Sequence, residues 1–476
     1  MHAENPYRGT APLELRDHPP KLLTERVGTG RVLLRLLATW WILGLAFWAW
    51  VADRLFLRRL FYVVIPRRYE RLPWPRALRL AFERLGPTYI KFGQVIASSK
   101  GLFPEGLCEE MRAVLDDVPP VPFATTRKTI EEAFEAPLET IFDRFEEAPI
   151  AAASIAQVHG ATLPDGTDVV VKVQRPNLPL RVGADLRVMA VAARFAERVS
   201  HEARLGNLSG IVGDFAETLT QEMDFRLEGL NMDEFNAIFD PQEDKKVCAP
   251  RVYWERTRPH VLTMERFIGC RVDDVARMQT LPDPEAELVR GVLAWTETLL
   301  RNGMFHGDVH AGNLMYLDDG RIGFLDFGIV GRFDQNTREQ SMEFLLCLAM
   351  SNYKRFAEIV IDMSKGSIDG RVLNVDEVAD DLRNAYGPLT NMTMAEIEYG
   401  EVLPNIQRTG MKHGLRFPKE FVLITKQFLY FDRYARMLAP NLNMFRDPRI
   451  AMQIMQILPQ LQAAQSAGNK PAVASA

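Results

Sequence analysis

The stretch FHGDVHAGNLM at residues 305–315, followed by FLDFG at 324–328, decides the fold of this chain. Asp308 and Asn313 stand five positions apart, and Asp326 follows Asp308 by eighteen positions. Asp326 and Asn313 offer a carboxylate and an amide, the oxygen ligands that Mg²⁺ takes beside phosphate groups. Asp308 is a second carboxylate, which can orient an acceptor hydroxyl or take its proton. The spacing therefore predicts a site for phosphoryl transfer.

These residues match the catalytic loop H-R-D-x-x-x-x-N and the D-F-G triplet of protein kinases, with two departures. The first is the triplet His306-Gly307-Asp308, which lacks the arginine that reads a phosphorylated activation loop. The second is Asp334, eight positions after Asp326, which stands as a helix N-cap where kinases have a long segment ending in A-P-E. The sequence therefore predicts neither activation-loop control nor a platform for a peptide substrate.

The run HGDVH also allows a rival interpretation as a zinc site, with His306 and His310 four positions apart. No third ligand stands close by in the sequence, and such histidine pairs need a helical setting that this run lacks. We therefore prefer the interpretation as a catalytic loop.

Upstream, IAAASIAQV at 150–158 has the layout of a kinase glycine-rich phosphate loop, with alanine in place of every glycine. The strand-like run VVVKVQRP follows a hairpin turn and supplies Lys172. Because Cβ atoms disfavour positive φ and occupy space beside a nucleotide, we expect a stiffer loop with altered nucleotide affinity. The residues predicted to contact ATP are Ile150, Ala151, Ala152, Ala153, Ser154, Ile155, Ala156, Gln157, Val158, Lys172, Glu228, Glu265 and Phe267.

A helical segment is predicted from residue 208 to 233, and the part EMDFRLEGLN places Glu222, Asp224 and Glu228 on this helix after Lys172. In a kinase, a helix glutamate orients the strand lysine, and that lysine holds the α- and β-phosphates. The alternative is an exposed strand lysine and a solvated helix charge. The joint order of loop, lysine, glutamate, aspartate, asparagine and D-F-G favours the kinase interpretation.

KFGQ at 91–94 lies on a predicted helix that starts after Gly86. Lys91 and Gln94 share one face of this helix, and Gly93 beside them permits a close approach by another segment. From these residues alone, a solvated helix face with an incidental glycine is slightly favoured.

Residues 36–52, LLATWWILGLAFWAWVA, carry no charge and hold four of the seven tryptophans. Arginines flank this run on both sides, so charge assigns no topology. A single span, a hairpin, an interfacial helix and a buried helix of a soluble domain stay open. We expect membrane association at the cytoplasmic face of the inner membrane, through a single span or an interfacial helix, and no signal peptide.

The net charge of −5 over 476 residues indicates no nucleic-acid partner. Four cysteines stand far apart without a CxxC pair, which favours a reduced, cytosol-facing protein without structural zinc. The length supports two or three domains.

KFGQ, the alanine-rich loop, VVVKVQRP, EMDFRLE, HGDVHAGN and LDFG together resemble the UbiB-like (ADCK-type) atypical kinase family, over residues 85–330. The resemblance implies an α+β, protein-kinase-like bilobal fold that is mainly helical. It implies an N-terminal helical extension that carries the KxGQ motif and folds over the active site. It also implies binding of ATP and magnesium and a membrane role in coenzyme Q or other isoprenoid-lipid metabolism.

By the same resemblance Lys172 pairs with Glu228, and the ExD motif at 222–224 meets Lys91 and Gln94. These meeting residues would occlude or regulate the site. The resemblance thus supplies contact partners for KFGQ, which changes the preferred interpretation of Lys91 and Gln94 from a solvated helix face to a functional role. The roles expected for the remaining positions are catalysis for Asp308 and metal binding for Asn313 and Asp326.

Six regions are predicted: a flexible N-terminus (1–30), a membrane-associated segment (31–70), the KxGQ extension (71–136), an N-lobe (137–266), a helical C-lobe (267–463) and a disordered tail (464–476).

The preferred function is an ATP- and Mg²⁺-dependent atypical kinase or ATPase whose partners are membrane lipids or isoprenoid precursors, and other lipid-biosynthetic enzymes. The alternative is a nucleotide-binding scaffold, a pseudokinase that performs no transfer within a lipid-biosynthetic complex. A conventional protein kinase is the least favoured of the three, because the segment after D-F-G is short.

Overall fold

The structure is a computed structural model. It describes residues 11–12, 15, 27–55, 71–98, 103–114, 119–200, 207–239, 246–364, 366–367, 370–393, 396, 399–415, 424, 427, 431, 435–443, 447–450, 452–453 and 455–457. The predicted tail at 464–476 and most of the predicted flexible N-terminus lie outside the described residues. The chain divides into two compact units. We call Thr10–Leu230 with Val252–Arg266 the N-terminal unit, and Asn231–Arg251 with Phe267–Ala476 the C-terminal unit.

The helices of the described residues are α1 (Thr29–Arg54), α2 (Trp74–Leu85), α3 (Pro87–Ser98), α4 (Glu105–Met111), α5 (Phe123–Phe134), α6 (Leu138–Ile141), α7 (Leu178–Val199), α8 (Leu208–Gln221), α9 (Phe225–Phe239), α10 (Val275–Met278), α11 (Pro284–Glu297), α12 (Gln335–Ala349), α13 (Tyr353–Met363), α14 (Val375–Asn391) and α15 (Tyr399–His413). The strands are β1 (Arg144–Phe145), β2 (Ala151–Ala152), β3 (Ala156–Thr162), β4 (Asp168–Gln174), β5 (Val247–Cys248), β6 (Val261–Glu265), β7 (Gly269–Arg271), β8 (Met304–His306), β9 (Leu314–Leu317), β10 (Ile322–Phe324) and β11 (Val330–Arg332).

The N-terminal unit contains an antiparallel sheet in the order β1-β3-β4-β6, with β2 paired to β3. Strands β3 and β4 form the predicted hairpin, in which Val158 lies opposite Lys172. Gly166 has a φ of 84° in the connecting turn, a left-handed conformation that glycine adopts without steric cost. The hairpin prediction is therefore confirmed.

The side chains of β4 alternate between the hydrophobic core and the face of the sheet that carries Lys172. Val169, Val171 and Val173 are buried and pack in one hydrophobic cluster with Ile130 of α5 and residues of α6. Successive strand side chains point to opposite faces, so Lys172 lies on the face of β4 away from this cluster. The apolar run VVVKVQ thus builds the core and places one charged side chain on the other side of the strand.

The predicted break between two helices at Gly86-Pro87 is confirmed. Gly86 has a φ of 94° between α2 and α3. The guanidinium of Arg181 packs against its Cα, in the space that a Cβ would need. Any other residue at this position would therefore meet both backbone strain and a steric clash.

The prediction of one helical segment from 208 to 233 is wrong, because the chain breaks between α8 and α9 at Glu222–Asp224. The side chain of Gln174 donates a hydrogen bond to the carbonyl of Met223 over 2.9 Å. The N–H of Phe225 bonds the carbonyl of Pro259. The carbonyl of Met223 and the N–H of Phe225 thus bond to β4 and to the loop before β6, and Glu228 alone of the three acidic residues lies inside a helix.

The C-terminal unit has two small sheets and most of its described residues in helices. A four-stranded sheet has the order β5-β10-β9-β7, and β8 pairs with β11. Apolar residues at helical spacing predict an amphipathic helix over residues 285–302, and the structure has α11 there, followed by a π-helical turn at Thr298–Asn302. Asp334 caps α12 as predicted, since its side chain accepts the N–H of Thr337 over 2.7 Å.

Candidate catalytic and nucleotide-binding site

Lys172 and Glu228 form an ion pair within the N-terminal unit. The Lys172 Nζ lies 2.9 Å from both carboxylate oxygens of Glu228. The side chain of Glu228 is 5% exposed and that of Lys172 is 13% exposed. The Lys172 Nζ also lies 5.3 Å from the ring centre of Phe225. A strand lysine is thus held in one position by a helix carboxylate.

Lys91 of α3 forms a second ion pair with the acidic segment between α8 and α9. Its Nζ lies 3.0 Å from an oxygen of Glu222, whose side chain is largely buried. Asp224 binds Arg226 instead, with Oδ2 2.7 Å from an Arg226 nitrogen, and also accepts the Arg226 N–H. Gln94 is half-buried on the same helix as Lys91. The structure thus brings KFGQ and Glu222 together.

The alanine-rich loop forms a tight turn between β2 and β3. The N–H of Ala153 bonds the carbonyl of Ala156 over 2.8 Å, and Ala151 pairs with Val158. The non-glycine residues with positive φ in the described chain lie elsewhere, so the loop turns without a left-handed alanine. This is the shape expected where Cβ atoms replace the hydrogens of glycine.

Arg175 fastens this loop. Its Nε donates to the carbonyl of Ala153 over 2.9 Å, and another guanidinium nitrogen donates to the carbonyl of Pro119 over 3.0 Å. Its main-chain N–H bonds the carbonyl of Ile155. Burial lowers the pKa of the Arg175 guanidinium. One side chain therefore joins the loop to the segment that leads into α5.

The other residues predicted to contact ATP differ in exposure. Ser154, Ile155 and Ala156 are buried, whereas Ile150 is exposed. The Gln157 side chain is buried and bonds the N–H of Val121 at 3.0 Å and the imidazole of His159 at 2.8 Å. Any contact of Gln157 with a ligand would therefore use its main chain.

Two predicted ATP contacts, Glu265 and Phe267, lie at the end of β6 and just after it. Glu265 is the last residue of β6 and lies opposite Val169. In the C-terminal unit, the Phe267 ring packs against the Cα of Gly323 and fills the space of a Cβ there. Gly323 thus makes room for the ring.

The C-terminal unit brings Asp308 and Asn313 together. The Asn313 Nδ2 donates to the main-chain carbonyl of Asp308 over 2.9 Å. This bond uses the amide nitrogen and leaves Oδ1 as the remaining ligand atom of a buried asparagine. Asp326 is exposed and has a φ of 54°. Such a backbone conformation is uncommon for a residue with a Cβ and clusters at functional sites.

His306 joins the catalytic loop to the strand that leads into D-F-G. Its Nε2 lies 2.8 Å from the carbonyl of Leu325, and its Nδ1 lies 3.2 Å from the N–H of Asp308. A carbonyl only accepts and an N–H only donates, so the ring is neutral with its proton on Nε2. Burial lowers the pKa of His306. Both nitrogens are engaged, which argues against the rival zinc interpretation.

Gln427, from a distant part of the chain, bonds the main chain on both sides of Asp308. Its Oε1 accepts the N–H of Val309 over 2.9 Å, and its Nε2 donates to the carbonyl of Gly307 over 2.6 Å. Gln427 is fully buried. The two peptide groups on either side of Asp308 are therefore held by one side chain.

The structure also explains the glycine of His-Gly-Asp. The N–H of Gly307 bonds the carbonyl of Ile329 over 2.8 Å. A Cβ at Gly307 would lie 2.8 Å from the Ile329 Cγ2 and 3.1 Å from its oxygen. An arginine cannot stand here without displacing the segment that follows D-F-G.

Three residues of the site were not predicted from the sequence: Gln174, Arg175 and Gln427. Arg175 could have been predicted, because it stands three residues after Lys172 in VVVKVQRP. Gln427 carries no local signal, since its partners precede it by 118 and 120 residues.

A strand lysine paired with a helix glutamate, together with an aspartate, an asparagine and a D-F-G triplet, defines a protein-kinase-like molecule that departs from ordinary protein kinases at the loop and after D-F-G. The profile of the ABC1 atypical kinase-like domain matches residues 113–360, and that of the UbiB helical domain matches residues 382–443. The chain belongs to the UbiB/ABC1 family of atypical kinases. The α+β, mainly helical, kinase-like fold is thereby confirmed.

Relatives support this assignment. An "uncharacterized aarF domain-containing protein kinase" of Arabidopsis thaliana, described as chloroplastic, is 39% identical over 79% of this chain and 74% of its own length. An "uncharacterized protein" of Mycobacterium tuberculosis is 40% identical over 79% and 78% of the two chains. A "probable protein kinase UbiB" of Pseudomonas aeruginosa is 33% identical over 80% and 72%.

A solved structure shares the fold. The erythromycin complex of a Mycobacterium tuberculosis protein is 22% identical to this chain, with a TM-score of 0.50, and covers 78% of this chain and 95% of its own. The domain boundaries predicted from the sequence stay predictions, as do the functional roles of the site residues.

Proposed function

We propose that the chain is an ATP- and Mg²⁺-dependent atypical kinase or ATPase that acts at a membrane in coenzyme Q or other isoprenoid-lipid metabolism. The observation that carries the catalytic part is the joint support of Asp308 within the C-terminal unit. Gln427 holds the peptide groups on both sides of it, Asn313 bonds its carbonyl and His306 accepts its N–H. Three side chains thus hold the main chain around one aspartate, and such support is typical of a catalytic residue.

Asn313 and Asp326 fit a magnesium ion by their chemistry, since both offer oxygen atoms of the kind that hard cations prefer. When bound, Mg²⁺ would neutralise charge on phosphate oxygens. Asp308 stays free of both roles and orients the attacking hydroxyl or water, taking its proton.

In the N-terminal unit, Lys172 supplies the positive charge for the α- and β-phosphates, and Glu228 fixes its position. The main chain of the alanine-rich loop, together with Glu265 and Phe267, completes the proposed ATP contacts. A loop with side chains at every position approaches phosphates less closely than a glycine loop. We infer a nucleotide preference that differs from that of ordinary kinases.

The acceptor is inferred to be a small molecule, a lipid or water rather than a peptide. Asp334 already caps α12, eight residues after Asp326, so the chain between them is too short for a peptide platform. The Lys91–Glu222 pair ties the KFGQ helix to the acidic segment, and from the family resemblance we infer that this helix occludes the site where a peptide would otherwise lie. The UbiB names of relatives support an isoprenoid-quinone pathway.

The membrane role is supported by α1, which is long and apolar enough to cross a membrane. We propose association with the cytoplasmic face of the inner membrane, with membrane lipids or isoprenoid precursors and other lipid-biosynthetic enzymes as partners, and with no nucleic acid.

A scaffold that binds ATP without transfer is the second candidate. It is favoured by the paired Lys172, which supports nucleotide binding without Asp308. The two candidates differ in the expected effect of Asp308→Asn, which removes catalysis and leaves a scaffold intact.

Lipid profiling of a deletion strain tests the proposal. Wild type restores the missing quinone, and Asp308→Asn leaves an early prenylated precursor in its place. Asp319→Asn, the same change in an exposed turn, serves as the matched control and restores the quinone. Full rescue by Asp308→Asn would favour the scaffold, and an unchanged lipid profile in the deletion strain would remove the proposed pathway.

A further inference from the structure

Helix α1 has two faces within the N-terminal unit. Large apolar side chains recur every three to four residues along one face and are well exposed: Leu34 at 70%, Leu37 at 59%, Trp41 at 70% and Trp48 at 68%. We call the face with Leu33, Leu34, Leu37, Trp40, Trp41, Leu45 and Trp48 the apolar stripe. Exposed apolar patches of this kind mark an interaction surface.

The opposite face of α1 is tied to the folded unit along its length. Arg35 pairs with the buried Asp185 of α7 and bonds the carbonyl of Leu85. The Thr39 hydroxyl lies 3.3 Å from that of Tyr89.

Near the other end of the helix, the Asp53 carboxylate accepts the N–H of Leu72 over 3.0 Å. From Arg35 to Asp53 the tied length is about 27 Å at 1.5 Å per residue. This nearly equals the bilayer core of about 30 Å. A spanning α1 would therefore draw Asp185 and Tyr89, with their polar bonds, into hydrocarbon, whereas a helix lying on the surface would not.

A pocket of about 400 Å³ lies at the start of the apolar stripe. Its lining includes Arg31, Arg35 and Arg181, together with Leu34 and Asn177. An amphipathic helix that lies in the plane of a bilayer sits at the boundary between headgroups and acyl chains along its length. The pocket thus lies where lipid phosphates would be.

The charges around the pocket are unbalanced. Arg35 is compensated by Asp185, whereas Arg181 donates to the neutral carbonyl of Leu85 over 2.6 Å and Arg31 is exposed. Burial, followed by the nearby charge of Arg35, lowers the pKa of Arg181, and Asp185 opposes this. Among the described residues around the pocket, three guanidinium groups against one carboxylate leave an excess of positive charge that an anion would compensate.

We propose that the protein docks in the plane of an anionic lipid surface through the apolar stripe, and that a phosphate-bearing lipid headgroup occupies the pocket formed with Arg31, Arg35 and Arg181. This deepens the proposed membrane role and rests on it. The occupant is a lipid surface rather than a protein, because three guanidinium groups line a pocket at the start of an exposed apolar stripe that carries tryptophans, on a helix whose other face is tied to the folded unit.

Vesicle flotation of the full chain tests the docking mode. Phosphatidylcholine vesicles are compared with phosphatidylcholine–phosphatidylglycerol vesicles, without ATP. Arg31→Gln and Arg181→Gln should each lower partition onto the anionic vesicles about fivefold, the change that corresponds to about 1 kcal/mol per basic residue near such a surface. Arg31→Lys should restore binding, and Trp41→Ser should weaken binding to both vesicle types.

The matched control is Arg144→Gln, an equal charge change on exposed strand β1 of the same unit. Equal losses in Arg144→Gln and Arg31→Gln would overturn the pocket, since they indicate diffuse charge. If inorganic phosphate stabilises the protein against heat but the protein does not bind anionic vesicles, the pocket binds free phosphate and the proposal of a lipid headgroup is overturned. A concentration-dependent dimer that Trp41→Ser abolishes, with no flotation, would overturn the lipid surface as occupant of the apolar stripe.

Arg181 also bonds the carbonyl at the end of α2, so Arg181→Gln can fail to fold. In that case the Arg31→Gln variant, at an exposed position, provides the test. Asp326→Asn should float like wild type, so that a failure of docking is distinguishable from a failure of ATP use.

Discussion

The ammonium group of Lys172 lies 2.9 Å from both oxygens of the Glu228 carboxylate, and both side chains are largely buried. The pair joins strand β4 to helix α9, whose first residue follows directly on the acidic segment that binds Lys91. Removal of one charge therefore affects more than a nucleotide contact, because the other charge stays buried without compensation.

Glu228→Gln should lower the free energy of unfolding by about 3–5 kcal/mol, the usual cost of breaking a buried pair. Lys172→Met combined with Glu228→Leu should recover much of this loss and still abolish ATP binding. Urea denaturation and calorimetric ATP titration measure the two effects. The control is Lys128→Met on α5, whose pair with Glu132 is exposed and worth less than about 1 kcal/mol. Equal losses in both pairs would contradict the assignment.

Gln427→Leu should slow turnover by about one to two orders of magnitude, because the peptide groups beside Asp308 lose their anchor. The free energy of unfolding should fall by about 1–3 kcal/mol for each main-chain group that is left without its hydrogen bond. Steady-state ATP hydrolysis at saturating nucleotide is the measurement. Gln453→Leu is the matched control, since Gln453 donates to the carbonyl of Leu293 in the same unit. Turnover that falls equally in both variants would show a general loss of packing.

Ala153→Gly and Arg175→Met should both loosen the alanine-rich loop. The first permits positive φ, and the second removes the bonds to the carbonyls of Ala153 and Pro119. We expect altered ATP and ADP affinities for Ala153→Gly and faster nucleotide dissociation for Arg175→Met, measured by stopped-flow with a fluorescent analogue. Arg144→Met, on the same sheet, controls for lost charge. Unchanged affinity for both nucleotides would show that the alanines are incidental.

Acidification should destabilise the C-terminal unit through His306. Its native pKa is lowered by burial, so the imidazole stays neutral in the fold. Below the unfolded pKa of about 6.5 the unfolded chain binds a proton that the native state does not, and stability falls by up to about 1.4 kcal/mol per pH unit. His306→Gln, which keeps a donor for Leu325, should reduce this slope in thermal unfolding between neutral and acid pH. The control His310→Gln, at an exposed site of the same loop, should keep it; a slope unaltered by His306→Gln would refute the prediction.

Local patterns were sufficient for the features whose partners lie nearby in sequence. The β3–β4 hairpin, the break at Gly86 and the N-cap at Asp334 follow from turn chemistry and capping within a few residues. Lys172 follows from alternation, because the valines beside it form the core and leave the lysine on the other face.

Tertiary bonds decided the features that the sequence could not predict. The segment 208–233 reads as one helix, yet Gln174 and the carbonyl of Pro259 bond its main chain and break it at Glu222–Asp224. Likewise, nothing near Gln427 indicates that it reaches Gly307 and Val309. The two-sided character of α1 also depends on tertiary ties, since residues 36–52 are apolar on every face.

The most direct test of an ATP-using enzyme at this site uses the Asp308→Asn and Asp326→Asn variants. ATP binding and magnesium-dependent ATP hydrolysis are both measured in the presence of anionic vesicles. We predict that Asp308→Asn binds ATP as wild type does and loses turnover, and that in Asp326→Asn neither ATP binding nor turnover depends on magnesium. Asp319→Asn should behave as wild type. Wild-type turnover in both Asp308→Asn and Asp326→Asn would contradict an ATP-using enzyme at this site.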